Sequence, residues 1–247
     1  MIDLKQFSQN LPHMIGEDQM AFSAVSITFI YTGEKPHYTG AYPSESTGTN
    51  SDINSDTDWL LQMLEEHPED FSILFELRSS KIEAQPGDIC FPGGMQDPGE
   101  TIRETVVREM CEELLIRPDQ VTILGQMDYL QSGSRLRVYP FITLLEGYQG
   151  SFSSDEVEEV FTVPFTWFLQ NKPEVYYTES KVILSDDFPY DRIYGGKNYA
   201  WRSTREPIYF YRYIISDIEN LSRIYDIWGM TAKMIYHFTQ KLVLSPV

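Results

Sequence analysis

The stretch from Phe91 to Glu113, Phe-Pro-Gly-Gly-Met-Gln-Asp-Pro-Gly-Glu-Thr-Ile-Arg-Glu-Thr-Val-Val-Arg-Glu-Met-Cys-Glu-Glu, restricts this chain more than any other. A Gly/Pro turn followed by Thr101 and Glu104 at capping-box spacing predicts a helix that starts at Thr101 and runs to about Leu114. Val107, Met110, Cys111 and Leu114 fall at i, i+3, i+4 and i+7, which gives this helix an apolar stripe. Glu109, Glu112 and Glu113 share another face, where carboxylates one turn apart repel each other. A divalent cation would remove that penalty, and an all-oxygen set of closely spaced carboxylates suits Mg²⁺ or Mn²⁺. The four histidines, His13, His37, His67 and His237, are scattered and form no zinc motif. Two cysteines, Cys90 and Cys111, make neither a metal cage nor a disulfide framework.

Around this helix the pattern is mostly that of strands. Residues 21–31 and 71–78 are rich in β-branched and aromatic side chains, with Phe71, Ile73, Phe75 and Leu77 on one face of the second. Further strands are predicted at 89–91, 121–127, 136–145, 175–177, 182–184 and 207–214, and a long helix at about 217–242. Residues 33–58, dominated by Gly, Pro, Ser, Thr, Asn and Asp, read as a long loop or mobile insertion. A short helix is predicted over 59–66, ended by His67-Pro68. Many strands with few helices indicate an α+β class, a mixed sheet flanked by helices. At 247 residues the chain is expected to be a single domain carrying the 33–58 insertion.

Charge and composition remove several functions. With 19 Lys+Arg against 37 Asp+Glu the net charge is -18, the opposite of the basic footprint a nucleic-acid binder needs. A hydrophobic content of 42% is too high for a disordered acidic chain. No run approaches the roughly 20 apolar residues of a membrane helix. The N-terminus lacks the pattern of a signal peptide. The expectation is a cytoplasmic protein with a small-molecule substrate and no nucleic-acid or membrane partner; a homodimer is left open.

Gly94-x5-Glu100-x7-Arg108-Glu109-Met110-x-Glu112-Glu113 resembles the Nudix box. The resemblance implies an α/β/α sandwich and Mg²⁺- or Mn²⁺-dependent hydrolysis of a nucleoside diphosphate linked to another group. By the same resemblance the Gly94 carbonyl, Glu109, Glu112 and Glu113 hold metal, Arg108 tethers the carboxylates, and Glu100 orders the loop. A further acid from outside the helix often completes such sites. Glu156 matches that position best, with Glu159 in reserve. One departure is Leu115, where the family has a glycine at the helix exit. Leu74-x3-Arg78-Ser79-x3-Glu83-x3-Gly87-x3-Phe91-Pro92-Gly93-Gly94 is similar to the segment that precedes the box in coenzyme A pyrophosphatases, except that Glu83 stands where those proteins usually have arginine. Residues 227–232, Ile-Trp-Gly-Met-Thr-Ala, are similar to the C-terminal helix of the same subfamily. This resemblance implies cleavage of coenzyme A or acyl-coenzyme A to 3',5'-ADP and (acyl-)4'-phosphopantetheine. Hydrolysis of ADP-ribose or a related compound is the alternative, and a non-catalytic Nudix-fold module the second. Arg78, Lys81, Arg135 and Arg137 are candidate phosphate contacts. Tyr190, Tyr194, Tyr199 and Trp201 are candidates to line an acyl or pantetheine groove, with packing at least as good an account of them.

Overall fold

The computed structural model describes residues 19–33, 62–63, 66–133, 135–216 and 222–244. The expected 33–58 insertion lies outside them apart from Gly33. So does most of the 59–66 helix, of which Gln62, Met63 and Glu66 are helical. Two strands organise the rest. β1 (Ala21–Tyr31) alternates small or hydroxylated residues with large apolar ones, and β2 (Phe71–Arg78) is almost wholly buried. They pair antiparallel from Thr28↔Leu74 to Tyr31↔Phe71, and then part. The short β4 (Gly93–Met95) takes the vacated edge of β1, and β3 (Ile89–Cys90) that of β2. This divergence opens the sheet where the Pro92-Gly93-Gly94 turn passes.

On its other edge β1 runs parallel to β7 (Leu136–Leu145), which carries β5 (Val121–Gln126) and β6 (Leu130–Ser132) antiparallel. β8 (Val157–Pro164) pairs with the outer edge of β2. One parallel pair among antiparallel ones makes the sheet mixed, as expected. Helix α1 (Ile102–Leu114) packs on one face, burying Ala24, Leu74, Val106, Met110, Leu114 and Phe141 together. The opposite face is covered by the short helix α2 (Phe165–Gln170), a three-stranded antiparallel sheet of β9 (Glu174–Ser180), β10 (Thr204–Ser216) and β11 (Ser222–Trp228), and helix α3 (Gly229–Leu244). Its core is aromatic: Phe75 stacks on Phe91 and Phe161, and Phe161 on Tyr225 at 3.9 Å between ring centroids. Each fully buried side chain of this size contributes about 1.5–3 kcal/mol of transfer free energy. The molecule is thus an α+β sandwich whose third layer mixes sheet and helix.

Three expectations are corrected. Residues 222–228 are a strand, so the long helix is confined to 229–244: Ser-Arg-Ile-Tyr-Asp-Ile-Trp alternates with period two, burying Tyr225 and Ile227, before the chain turns at Gly229. Residues 182–184 form no strand; Val182 and Ile183 are exposed, Ile183 at 93%, and Leu184 is half-buried. On α1 the buried stripe is Val106, Met110 and Leu114 with Thr105 and Glu113, while Val107 and Cys111 are half-buried, a rotation of about one residue from the expected face. The expected strand at 71–78 forms with Phe71, Ile73, Phe75 and Leu77 on one face, and its other face is buried too, so Leu74 and Glu76 are core residues as fully as Phe75.

Candidate active site

The N-terminus of α1 is built as its spacing predicts. The Thr101 hydroxyl accepts from the Glu104 amide at 3.2 Å, and the Glu104 carboxylate accepts from the Thr101 amide at 2.8 Å. Glu100, just before the cap, accepts from the Thr105 hydroxyl at 2.8 Å, the Asp97 amide at 3.2 Å and the Arg108 guanidinium at 2.9 and 3.1 Å. The Arg108 contact, with lesser help from the others, pulls the Glu100 carboxyl down to about 2. Arg108 also donates to Glu109 at 2.9 Å, Glu112 at 3.1 Å and the Met95 carbonyl at 3.0 Å, which binds the turn to the helix face. A single planar fork thus holds Glu100, Glu109 and Glu112 in fixed relation.

Glu113 points inward. Only 4% exposed, it accepts from the Gly93 amide at 2.7 Å. Burial, followed by the charges of Glu109 and Glu156, raises its carboxyl to about 8 against the lowering effect of that amide. Burial raises Glu109 as well, opposed by Arg108. Glu156 reaches the site because its loop is fastened to the end of α1: the Ser153 amide donates to the Glu113 carbonyl at 2.7 Å and the Ser151 hydroxyl to the Leu114 carbonyl at 2.7 Å. Glu159 is used elsewhere, accepting from the Tyr225 hydroxyl at 2.8 Å and pairing with Arg223. Leu115 adopts the left-handed conformation (φ 51°) that the family's glycine would take, 59% exposed, so the helix exit is kept.

Beside Gly93 and Gly94 the parted strands leave a cavity of about 450 Å³. Arg78, Cys90, Val138, Trp228 and Met234 line it along with both glycines. Trp228 reaches it while stacking on Phe210 at 5.7 Å, so the 227–232 segment both packs and faces the cavity. A larger, open depression of about 990 Å³ follows the outer flank of α1 past Val107 and Cys111, and its lining includes neither glycine nor Glu113. Glu100, Arg108 and Glu112 line that depression, whereas the smaller cavity meets the acids through its two glycines, Gly93 donating to Glu113 and Gly94 lying against Glu109. Of the four candidate cations it is lined by Arg78. Lys81 and Arg135 are exposed on turns, and the Arg137 guanidinium lies 5.1 Å from the Tyr129 ring centroid. Glu83 is exposed on the loop between β2 and β3. Tyr190 and Trp201 pack on Phe188 and Tyr199 on Trp201 in the connection between β9 and β10, Tyr194 is 99% exposed, and none of the four lines the cavity.

The strongest addition to the sequence reading is Glu76, 1% exposed on β2, whose Oε1 has no hydrogen-bond partner and whose carboxyl meets that of Glu113. Burial, then the Glu113 charge, raises it well above the usual carboxylate range. The period-two alternation Leu74, Glu76, Arg78 placed it on the α1 side. An unpartnered buried carboxylate beside a second one is a donor set that suits a divalent cation. Among the described residues no three His, Cys, Asp or Glu side chains converge on one point, because Arg108 and the Gly93 amide hold the acids. Mg²⁺ requires only one or two carboxylates, with water and phosphate oxygens completing its shell, so the donor set fits.

Comparison with known proteins agrees with this geometry. The NUDIX domain family model matches residues 65–183. The mouse peroxisomal coenzyme A diphosphatase NUDT7 is 36% identical over 47% of this chain and 49% of its own length. The Caenorhabditis elegans peroxisomal coenzyme A diphosphatase ndx-8 is 29% identical over 57% and 59%. The matched part thus spans about half to three fifths of these relatives. Among solved structures, a C. elegans Ap4A hydrolase aligns with a TM-score of 0.36 at 16% identity over 57% of this chain and 77% of that one, a superposition too loose to bear on either fold or activity. Among the described residues no helix is long and apolar enough to cross a membrane. Residues 65–183, which carry the helix of acids and the turn that faces it, are thus the part of the chain that is similar to the NUDIX domain.

Proposed function

We propose that this protein hydrolyses the pyrophosphate of coenzyme A or an acyl-coenzyme A, releasing 3',5'-ADP and (acyl-)4'-phosphopantetheine. The observation that carries the reading is the Gly93-Gly94 turn, which walls a cavity together with Arg78 and Trp228 and touches Glu113 and Glu109. The relatives named coenzyme A diphosphatases support the choice of substrate. The Gly94 carbonyl, Glu109, Glu112, Glu113 and Glu156 would hold Mg²⁺ or Mn²⁺, which when bound neutralises phosphate oxygens and lowers the pKa of water.

The chain's own residues do the rest. Arg78 presents a guanidinium to the pyrophosphate from the cavity wall. Arg108 keeps the carboxylates in register and stays out of the reaction. A buried carboxylate with a raised proton affinity, Glu113 or Glu109, takes the proton of the attacking water as its oxygen bonds to phosphorus and the bridging P–O bond breaks. Trp228 and Met234 offer apolar surface to the organic part of the substrate. The test is incubation of the full chain and Mg²⁺ with coenzyme A, an acyl-coenzyme A, ADP-ribose and NADH, with products separated by chromatography. Release of 3',5'-ADP is expected; AMP from ADP-ribose alone would replace the substrate, and no product from any of them would favour a non-catalytic module.

A further inference from the structure

Glu76 occupies a position that a strand residue of any apolar kind could fill at less cost. It sits between Leu74 and Arg78 on the face of β2 that α1 covers, with Cys90 of β3 and Val160 of β8 as its register partners. A carboxylate there is withdrawn from water, and a buried carboxylate without a partner is strongly disfavoured. Its nearest charged neighbour makes matters worse, being the equally buried Glu113. Arg108 is taken up by Glu100, Glu109 and Glu112, and Arg78, whose charge only partly offsets the burial of Glu76, gives its Nε to the Ala84 carbonyl at 3.2 Å. Oε1 of Glu76 has no hydrogen-bond partner, and the side chain, more than nine-tenths buried, brings its carboxyl against that of Glu113. Acids on a helix face are common; a buried, unsatisfied acid from a different element aimed at them is not.

We propose that Glu76 is itself a metal ligand, sharing with Glu113 a divalent cation at the inner end of the acid array. Two carboxylate oxygens from these residues leave the remaining positions to water and phosphate oxygens, the pattern Mg²⁺ favours. Glu76 comes from the sheet and Glu113 from the helix, so the cation also ties β2 to α1. This assignment rests on the reading of the site as a metal-dependent hydrolase, and its test does not use turnover.

The experiment measures Mn²⁺ binding to the substrate-free protein by electron paramagnetic resonance, together with the shift in melting temperature that saturating Mg²⁺ produces. Wild type is compared with Glu76→Gln and with Glu76→Thr, the latter a small β-branched side chain that suits a strand if the amide disturbs packing. Retention of a cooperative melt confirms folding. The expected result is at least a tenfold loss of Mn²⁺ affinity and a smaller Mg²⁺-induced shift in both variants. Unchanged affinity and an unchanged shift in either folded variant would overturn the assignment, leaving Glu76 and Glu113 as a pair that shares a proton. Wild type that hydrolyses no pyrophosphate while Glu76→Gln loses Mn²⁺ affinity would sink the hydrolase reading and leave the ligand standing. Wild type that binds no Mn²⁺ would end both.

Discussion

Gly94 lies so close to Glu109 that a Cβ on the glycine would stand 2.5 Å from the glutamate's carboxylate. The neighbouring Gly93 is restricted differently: at φ 147° its Cβ would meet the Ala24 carbonyl oxygen at 2.2 Å and the Val25 Cα at 2.6 Å, both backbone atoms. A flexible carboxylate can yield where a paired strand cannot. Gly94→Ala is expected to keep the melting temperature within a few degrees of wild type and to lose most turnover, because Glu109 must leave its place. Gly93→Ala is expected to cost about 2–4 kcal/mol in stability through overpacking and backbone strain. Thermal melts of both variants, with turnover of Gly94→Ala, check the pair; equal destabilisation would mean that the two glycines serve one purpose.

Arg108→Lys tests the guanidinium fork. A lysine keeps the charge but cannot serve Glu100, Glu109, Glu112 and the Met95 carbonyl together. Turnover should fall about 10- to 100-fold, the usual cost of losing a residue that orients metal ligands. Steady-state kinetics at saturating Mg²⁺ provide the measurement, and a lysine variant with wild-type kcat would show that charge alone suffices.

Leu115→Gly tests the helix exit. A leucine held at φ 51° bears a steric penalty of about 1–2 kcal/mol, partly offset by the extra freedom glycine brings to the unfolded chain. A net gain of about 0.5–1 kcal/mol is expected, which at this chain length raises the melting temperature by about 1–4 °C. Turnover should not change, since no acid moves.

Glu156 and Glu159 are separated by a pair of variants. Glu156→Gln should lower turnover with stability retained, because its charge acts on Glu76, Glu109 and Glu113. Glu159→Gln should weaken the joint to Arg223 and Tyr225 of β11, costing about 0.5–2 kcal/mol with turnover nearly intact. Reversed outcomes would exchange their roles.

What could be read beforehand follows from how local each signal is. The α1 cap rests on Thr101 and Glu104 within one turn, and the acid face on fixed helical spacing, so both were legible from sequence. The strand at 222–228 was not, because apolar residues such as Ile224, Tyr225, Ile227 and Trp228 satisfy period two and helical periodicity alike, and only the pairing with β10 decides between them. The stripe on α1 was misplaced by about a residue because Glu113, an acid, occupies a buried position that periodicity assigns to apolar residues. Glu76 escaped notice for the same reason: nothing in Phe-Glu-Leu-Arg tells that β2 will be covered on both faces. Its burial depends on β8 and α1, which are distant in sequence.

The most direct measurement is the Mg²⁺-dependent release of 3',5'-ADP from coenzyme A by wild type and by Glu113→Gln, with melts run in parallel. Loss of a metal-holding or proton-accepting carboxylate costs about 10²–10⁴ in rate. A fall of that size in Glu113→Gln with a cooperative melt retained is expected. Near-normal Mg²⁺-dependent turnover by the folded variant would contradict it.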